Sequence, residues 1–238
     1  MRQLYRCAAF ICAAALPALA GAEDLTIVSK VSVNQGAPST QTQYIGAQKI
    51  RSTDGESDTI VDVTAGRYVI INHKKKEYYE FTRDQMIASM AKLEQQTSGP
   101  MGAMMEKMMG GKVGEVTVQK GAVRKVAGYD CTSYTVSLGE NMRYELCAAE
   151  ALQIPPAYYD ALNGPYSMMG PMGKRFAKVF DEMKKIKGVP VAMNGNVNIM
   201  TMKMRLASEA TEVKKGAIPP SAFDLPVGYK KKDSPFKG

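Results

Sequence analysis

From residue 25 onward the chain alternates apolar and polar positions in short runs. Leu25 to Val33 has a period of two, Tyr44 to Arg51 reads as extended up to Ser52-Thr-Asp-Gly55, and Thr59 to Val63 follows. Arg67 to Asn72 and Glu77 to Phe81 are separated by a lysine-rich turn. None of these connections can carry a crossover helix, which predicts an antiparallel meander. One of its faces is strongly apolar and needs a cover. The period then changes. Thr82 is placed to cap a helix over Arg83 to Gln96, with Met86, Ile87, Met90 and Leu93 on one stripe and Asp84 near the positive end of the dipole.

Strand patterns return at Val113 to Gln119 and Val123 to Val126 and continue through Cys131 to Cys147. Gly139-Glu140-Asn141 reads as the turn of a hairpin whose register pairs the two cysteines, Tyr134 with Tyr144, Val136 with Met142 and, on the opposite face, Thr132 with Leu146. After Ile154-Pro155-Pro156 come a short helical piece, Ala157 to Leu162, and a helix over Lys174 to Lys185 with Phe176, Val179, Phe180 and Met183 on its apolar face. Strands are expected at Val189 to Asn194, Val197 to Leu206 and Glu209 to Lys214, with Asn194-Gly195-Asn196 as a hairpin turn. Pro219 to Phe223 and Leu225 to Tyr229 form a terminal tuck, and Lys230 to Gly238 a frayed tail. The class is mainly β with inserted helices, α+β, and no repeat or linker divides it.

The first 22 residues stand apart from this pattern. Arg2 and Arg6 precede an almost unbroken apolar run from Cys7 to Leu19, and small residues follow at Ala18, Ala20 and Ala22. That is the plan of a secretory signal peptide, cleaved near Ala20 or Ala22, and places the product in the periplasm. The expected organisation is a signal over 1–22, one domain over 23–231 and a flexible tail over 232–238. No other apolar window reaches the roughly 20 residues that cross a bilayer as a helix.

Composition changes the picture in three ways. Without the leader, 29 basic residues face 23 acidic ones. The basic residues are scattered or sit in short clusters, Lys74 to Lys76, Lys184-Lys185 and Lys230-Lys231. They read either as a solvated face or as a surface for anionic lipid, cell-wall polymer or an acidic partner, and not for nucleic acid. Second, Cys131 and Cys147 are the only cysteines outside the leader, so an exported chain joins them in one disulfide. Third, there is no Trp and one His, His73, which lies in a polar turn with no nucleophile elbow in the sequence. Asp54, Glu56 and Asp58 read as solubilising a turn or holding a cation weakly. These absences argue against an enzyme, and no cofactor is expected.

Several segments together resemble a known family: Ile60-Val-Asp-Val63 and Arg67 to Asn72, then Lys76 to Phe81 and an amphipathic helix; Val126-Ala-Gly-Tyr-Asp-Cys131 leading to Leu146-Cys147-Ala148; Lys187-Gly-Val-Pro-Val191; and Ile218 to Tyr229. In this order they resemble the periplasmic lipoprotein-carrier-like (LolA/LppX-like) superfamily, and most closely an uncharacterised secreted domain-of-unknown-function family within it. The resemblance covers about residues 25 to 231. It implies an incomplete antiparallel β-barrel wrapped over two or three helices, with an acyl chain, lipid or lipidated partner bound in the concavity and no catalysis.

The residues make a similar case by themselves, since a half-closed apolar sheet under small helices leaves a groove that methionines adapt to varied apolar shapes. The expected lining is Ile70, Met86, Met90, Leu93, Tyr134, Phe176, Phe180 and Met183. A module that docks an envelope protein through an open sheet edge or a helix face is the alternative. The clusters Met101, Met104, Met105, Met108 and Met109, and Met168, Met169 and Met172, leave three readings open: soft ligands for Cu(I), loops that cover the groove or touch a membrane, or compositional drift.

Overall fold

The computed structural model describes residues 23–97, 115–139, 142–155, 158, 170–199 and 202–236. The expected signal segment, most of the helical piece expected over Ala157 to Leu162, and both methionine clusters except the backbone of Met172 lie outside them.

Among the described residues twelve strands form one sheet in the order β12-β6-β5-β4-β3-β2-β1-β11-β10-β9-β8-β7. They are β1 Leu25–Val33, β2 Ser39–Ile45, β3 Lys49–Thr53, β4 Ser57–Asp62, β5 Arg67–Asn72, β6 Glu77–Thr82, β7 Val116–Val126, β8 Tyr129–Leu138, β9 Met142–Ala149, β10 Val189–Ile199, β11 Met202–Lys215 and β12 Lys230–Lys231. β1 to β6 and β7 to β11 are two meanders, joined where β1 pairs antiparallel with β11. Every neighbour is antiparallel except β12, which lies parallel to β6, so the sheet is mixed. β12 and β7 stand at its two ends, and the sheet is not closed into a true barrel.

Helix α1, Arg83–Thr97, starts as the sequence requires. The Thr82 hydroxyl accepts from the Gln85 backbone N–H at 3.2 Å, and the Gln85 side chain accepts from the Thr82 N–H at 2.9 Å. This reciprocal capping box satisfies two donors that the helix cannot. Met86 is buried in the main core, whereas Ile87, expected on the same stripe, faces solvent. Helix α2, Gly170–Met183, packs Val179 and Met183 against Val136, Leu146 and Ala148.

Three expected elements differ. The extended run from Tyr44 to Arg51 is broken at Gly46, whose N–H donates to Lys49 at 2.9 Å and turns β2 into β3. Asn194-Gly195-Asn196 is not a turn but the middle of β10, paired with Tyr144 on one side and Leu206 on the other at Gly195. A Cβ at position 195 would stand 2.7 Å from the Tyr144 ring, so the glycine serves the close approach of an aromatic ring. Thirdly, the cysteine hairpin keeps its expected faces but shifts its register by two residues. The three-residue loop sets Leu138 opposite Met142, and so Val136 opposite Tyr144, Tyr134 opposite Leu146 and Ser133 opposite Cys147.

The Cys131–Cys147 disulfide is present and therefore runs diagonally, with Cα atoms 5.3 Å apart. Both residues are buried. Replacing both with serine is expected to lower unfolding free energy by about 3 kcal/mol, as the chain-entropy estimate gives for a loop of this size. Urea unfolding under non-reducing conditions checks this, and a loss below about 1 kcal/mol would count against a bracing role.

The C-terminal segment is an anchored strap rather than a frayed tail. Phe223, Leu225 and Tyr229 pack on Ile60, Ile71 and Tyr78 on the face opposite the helices. The strap then passes the β6 edge, where Lys230 N–H donates to Lys76 at 3.0 Å and Lys232 N–H to Tyr78 at 2.8 Å. Phe236 ends against Phe81, ring centroids 4.6 Å apart, in the main core.

Candidate binding cavity

The inner face of β1, β2, β9, β10 and β11 follows from alternation. Ile27, Ser29 and Val31 on β1 share this face with Gln41 and Gln43 on β2, with Leu206 and Ser208 on β11, with Met193 and Gly195 on β10, and with Tyr144 on β9. α2 packs over β7 and β8 beside it, and between the helix and this face is a cavity of about 390 Å³ walled on the helix side by Val179, Phe180 and Met183. Tyr158, Met204 and the run from Val189 to Ala192 complete its described wall. This is within the usual range of small-ligand sites, roughly 300 to 1,000 Å³. The wall is aliphatic and aromatic apart from Ser29, Gln41, Gln43 and Ser208. It can desolvate an apolar chain and offer amide and hydroxyl hydrogen bonds from the β1–β2 side, and among the described residues it presents no charged side chain.

Of the eight expected lining residues, the structure brings Phe180 and Met183 to this cavity. Ile70 and Met86 pack in the main core instead, with Ile50, Val61, Tyr68 and Phe81. Tyr134 packs beside Val136 and Leu146. The side chains of Met90, Leu93 and Phe176 are outside the described residues. Ile27, Val31, Tyr144 and Leu206 were missed. Their alternation was legible, but not that β11 pairs with β1 and carries them beneath α2.

The other side of the same strands carries a polar groove of about 430 Å³, with Ser133, Thr135, Glu145 and Asn194 on its floor and Lys30 at its side. Arg124 of β7 reaches Glu209 of β11 at 3.0 Å across it. Both partners are largely exposed, so this pair contributes little to stability.

A third feature corrects the reading of Asp58 as a turn acid. It lies in β4 with a fully buried side chain, ion-paired and hydrogen-bonded to Arg51, and 3.0 Å from His73 Nε2. A carboxylate only accepts, so Nε2 donates, and Nδ1 meets the Tyr229 hydroxyl at 2.9 Å. Arg51 also donates to the Ala222 carbonyl at 2.7 Å. Burial raises the Asp58 pKa, but hydrogen bonds from Thr53, His73 and Arg51 and the charge of Arg51 outweigh it and hold the carboxyl below its usual 3.8. The cluster ties the strap to the sheet. Among the described residues no group of three or more His, Cys, Asp or Glu side chains is arranged to hold a metal ion.

Residues 26–229 match the family model described as Domain of unknown function (DUF4412). The chain belongs to this family. No curated protein sequence matches it. Among solved structures it is similar to an uncharacterized conserved protein from Thermus thermophilus, with a TM-score of 0.49 at 6% identity over 90% of this chain and 91% of that one. It is similar also to a chain of the MucA/MucB complex of Pseudomonas aeruginosa, with a TM-score of 0.40 at 12% identity over 86% of this chain and 56% of that one. A LolA superfamily protein from Nitrosomonas europaea gives 0.30 at 4% identity over 85% and 90%. At these identities the likenesses say nothing of ligand or partner.

Proposed function

We propose that this is an exported, non-catalytic binding protein that takes an apolar group, an acyl chain or the lipidated or apolar segment of a partner protein, into the cavity beneath α2. The observation that carries this reading is the largely apolar wall between α2 and the inner sheet face, uncharged among the described residues and edged on one side by Gln41 and Gln43. Thioether and aromatic side chains from a helix over a rigid sheet suit a site that accommodates more than one apolar shape.

The test is a fluorescent fatty-acid probe titrated into the protein, with lipid that co-purifies after gentle extraction identified by mass spectrometry. Val31 lies on the cavity wall and is not fully buried, so Val31→Trp fills the site without overpacking the core. Its expected effect is at least about tenfold weaker probe binding with folding unchanged, as loss of one well-filled contact region gives. No saturable probe binding by the wild type, together with no co-purifying lipid, would sink the acyl-chain reading.

Docking of an envelope protein is a second reading, and β7 favours it. This strand stands at the end of the sheet order, its residues are nearly all exposed, and Val118 and Val123 are among the exposed large apolar side chains. An edge of this kind pairs with an extended segment of another chain. Capture of a defined envelope protein that Lys120→Pro abolishes, with probe binding retained, would favour docking.

A further inference from the structure

Two lysine clusters that the sequence keeps more than 150 residues apart meet at one end of the sheet. The β5–β6 turn contributes Lys74, Lys75 and Lys76, and the strap contributes Lys230, Lys231 and Lys232, all of them exposed. Backbone hydrogen bonds fasten the two together, Lys230 N–H to Lys76 and Lys232 N–H to Tyr78, and the His73–Tyr229 contact at 2.9 Å braces the turn against the strap from the other side. Lys231 pairs with Glu80 at 2.6 Å and Lys232 with Glu77 at 3.0 Å. Lys74, Lys75, Lys76 and Lys230 have no ion pair among the described residues, and they leave a concentrated positive surface where the sequence left open a solvated face or a surface for an anionic partner.

A second, independent observation lies in the same segment. Val227 is fully exposed at the tip of the turn Pro226-Val227-Gly228, three residues before the strap joins β6 at Lys230. Gly228 has φ +82°, a conformation that closes the turn and holds Val227 outward. The Tyr229 N–H to Pro226 carbonyl contact at 3.5 Å and the packing of Leu225 and Tyr229 on the sheet fix the base of this tip. An apolar tip held rigidly beside unmatched lysines combines the two contributions that bring a soluble protein onto a bilayer: ammonium groups at the headgroup phosphates and one aliphatic side chain at the boundary below them.

We propose that the Lys74–Lys76 turn, Lys230 and the Val227 tip form a peripheral docking surface for an anionic phospholipid bilayer. It involves strands other than those of the cavity and stands whether or not the cavity takes a lipid. Burial of Asp58 under the strap gives the surface its rigidity, because Arg51, Asp58 and His73 hold the two lysine-bearing segments in one arrangement.

The experiment is co-sedimentation of the exported protein with vesicles of phosphatidylcholine and phosphatidylglycerol in a three-to-one ratio, against phosphatidylcholine alone. Partition onto the anionic vesicles is expected, weakening steeply as salt is raised from low to physiological strength. Each lysine removed lowers the partition about fivefold, so Lys74→Ala/Lys75→Ala/Lys230→Ala falls about a hundredfold. Val227→Ser is expected to lose several-fold more affinity than the single change Lys184→Ala at a distant exposed site. Equal partition onto neutral vesicles, or an unaltered partition of the triple variant whose circular dichroism matches wild type, overturns the proposal. Tighter capture by a polyglutamate peptide than by the anionic vesicles also overturns it, by assigning the surface to an acidic protein.

Discussion

Asp58→Ala is expected to lower the unfolding free energy by about 3 kcal/mol, the smaller end of the range for breaking a buried ion pair because Arg51 keeps 15% of its side chain exposed. The loss comes from what remains behind. Arg51 loses its counter-charge, His73 Nε2 loses its acceptor, and the strap carrying Ala222 and Tyr229 is held by fewer contacts. Urea unfolding of wild type and variant measures it, and a change within about 1 kcal/mol would show that the cluster is not a tether. Acid adds a second readout. The folded Asp58 pKa lies below 3.8, so its contribution is complete above the unfolded value and is lost as pH falls through the folded one. Wild-type stability therefore drops more steeply below about pH 4 than that of Asp58→Asn. Asp54, also held below its usual value, is common to both proteins and cancels in the comparison.

Gly188→Ala is expected to cost about 3 kcal/mol or more, from a left-handed backbone and an overfilled contact acting together. Gly188 has φ +93°, and an added Cβ would lie 2.4 Å from the Ala149 carbonyl oxygen and 2.7 Å from the Glu150 nitrogen. Both atoms are backbone, so no rotamer change relieves the clash, and β9 and β10 must move apart where Val189 and Val191 enter the core. Gly128→Ala is the control. Its φ is +86° but nothing lies within 4 Å of the added atom, so it carries the backbone cost alone, about 1 to 2 kcal/mol. Thermal and urea unfolding of the two variants should separate them, and equal losses would refute the close-approach argument. The same change is expected to weaken probe binding, since Val189, Pro190 and Val191 border the cavity.

Much of the architecture was legible because period two and period 3.6 are local properties. β1, β5, β6 and α1 begin and end close to where the alternation, Thr82 and the lysine turn place them. Partner choice was not local. Asn194-Gly195-Asn196 carries strong turn chemistry, yet Tyr144 on a neighbouring strand claims the space above Gly195 and keeps β10 straight. The expected lining is divided for a related reason. Phe180 and Met183, on the α2 stripe, border the cavity, but Ile70 and Met86 are equally apolar and lie in the core, and only the β1–β11 pairing distinguishes wall from core. Asp58 looked like a turn acid because Arg51 and His73 flank it in space at a register that alternation alone does not reveal. The lysine patch was invisible for the plainest reason, that its halves lie at opposite ends of the chain.

The strap also has a consequence for the order in which the chain can close. Arg51 waits 171 residues for its partner carbonyl at Ala222, and Ile60, Val69 and Ile71 wait nearly as long for Phe223 and Leu225. In a chain that emerges amino end first, the outer face of β3 to β5 stays bare until most of the polypeptide has appeared. Early strands therefore gain only part of their native contacts while the chain is incomplete, and a long-range closure of this kind is slow. The arrangement delays commitment to the folded state until the chain is nearly complete, and makes the interval before the strap arrives the stage at which a holding chaperone has most to protect.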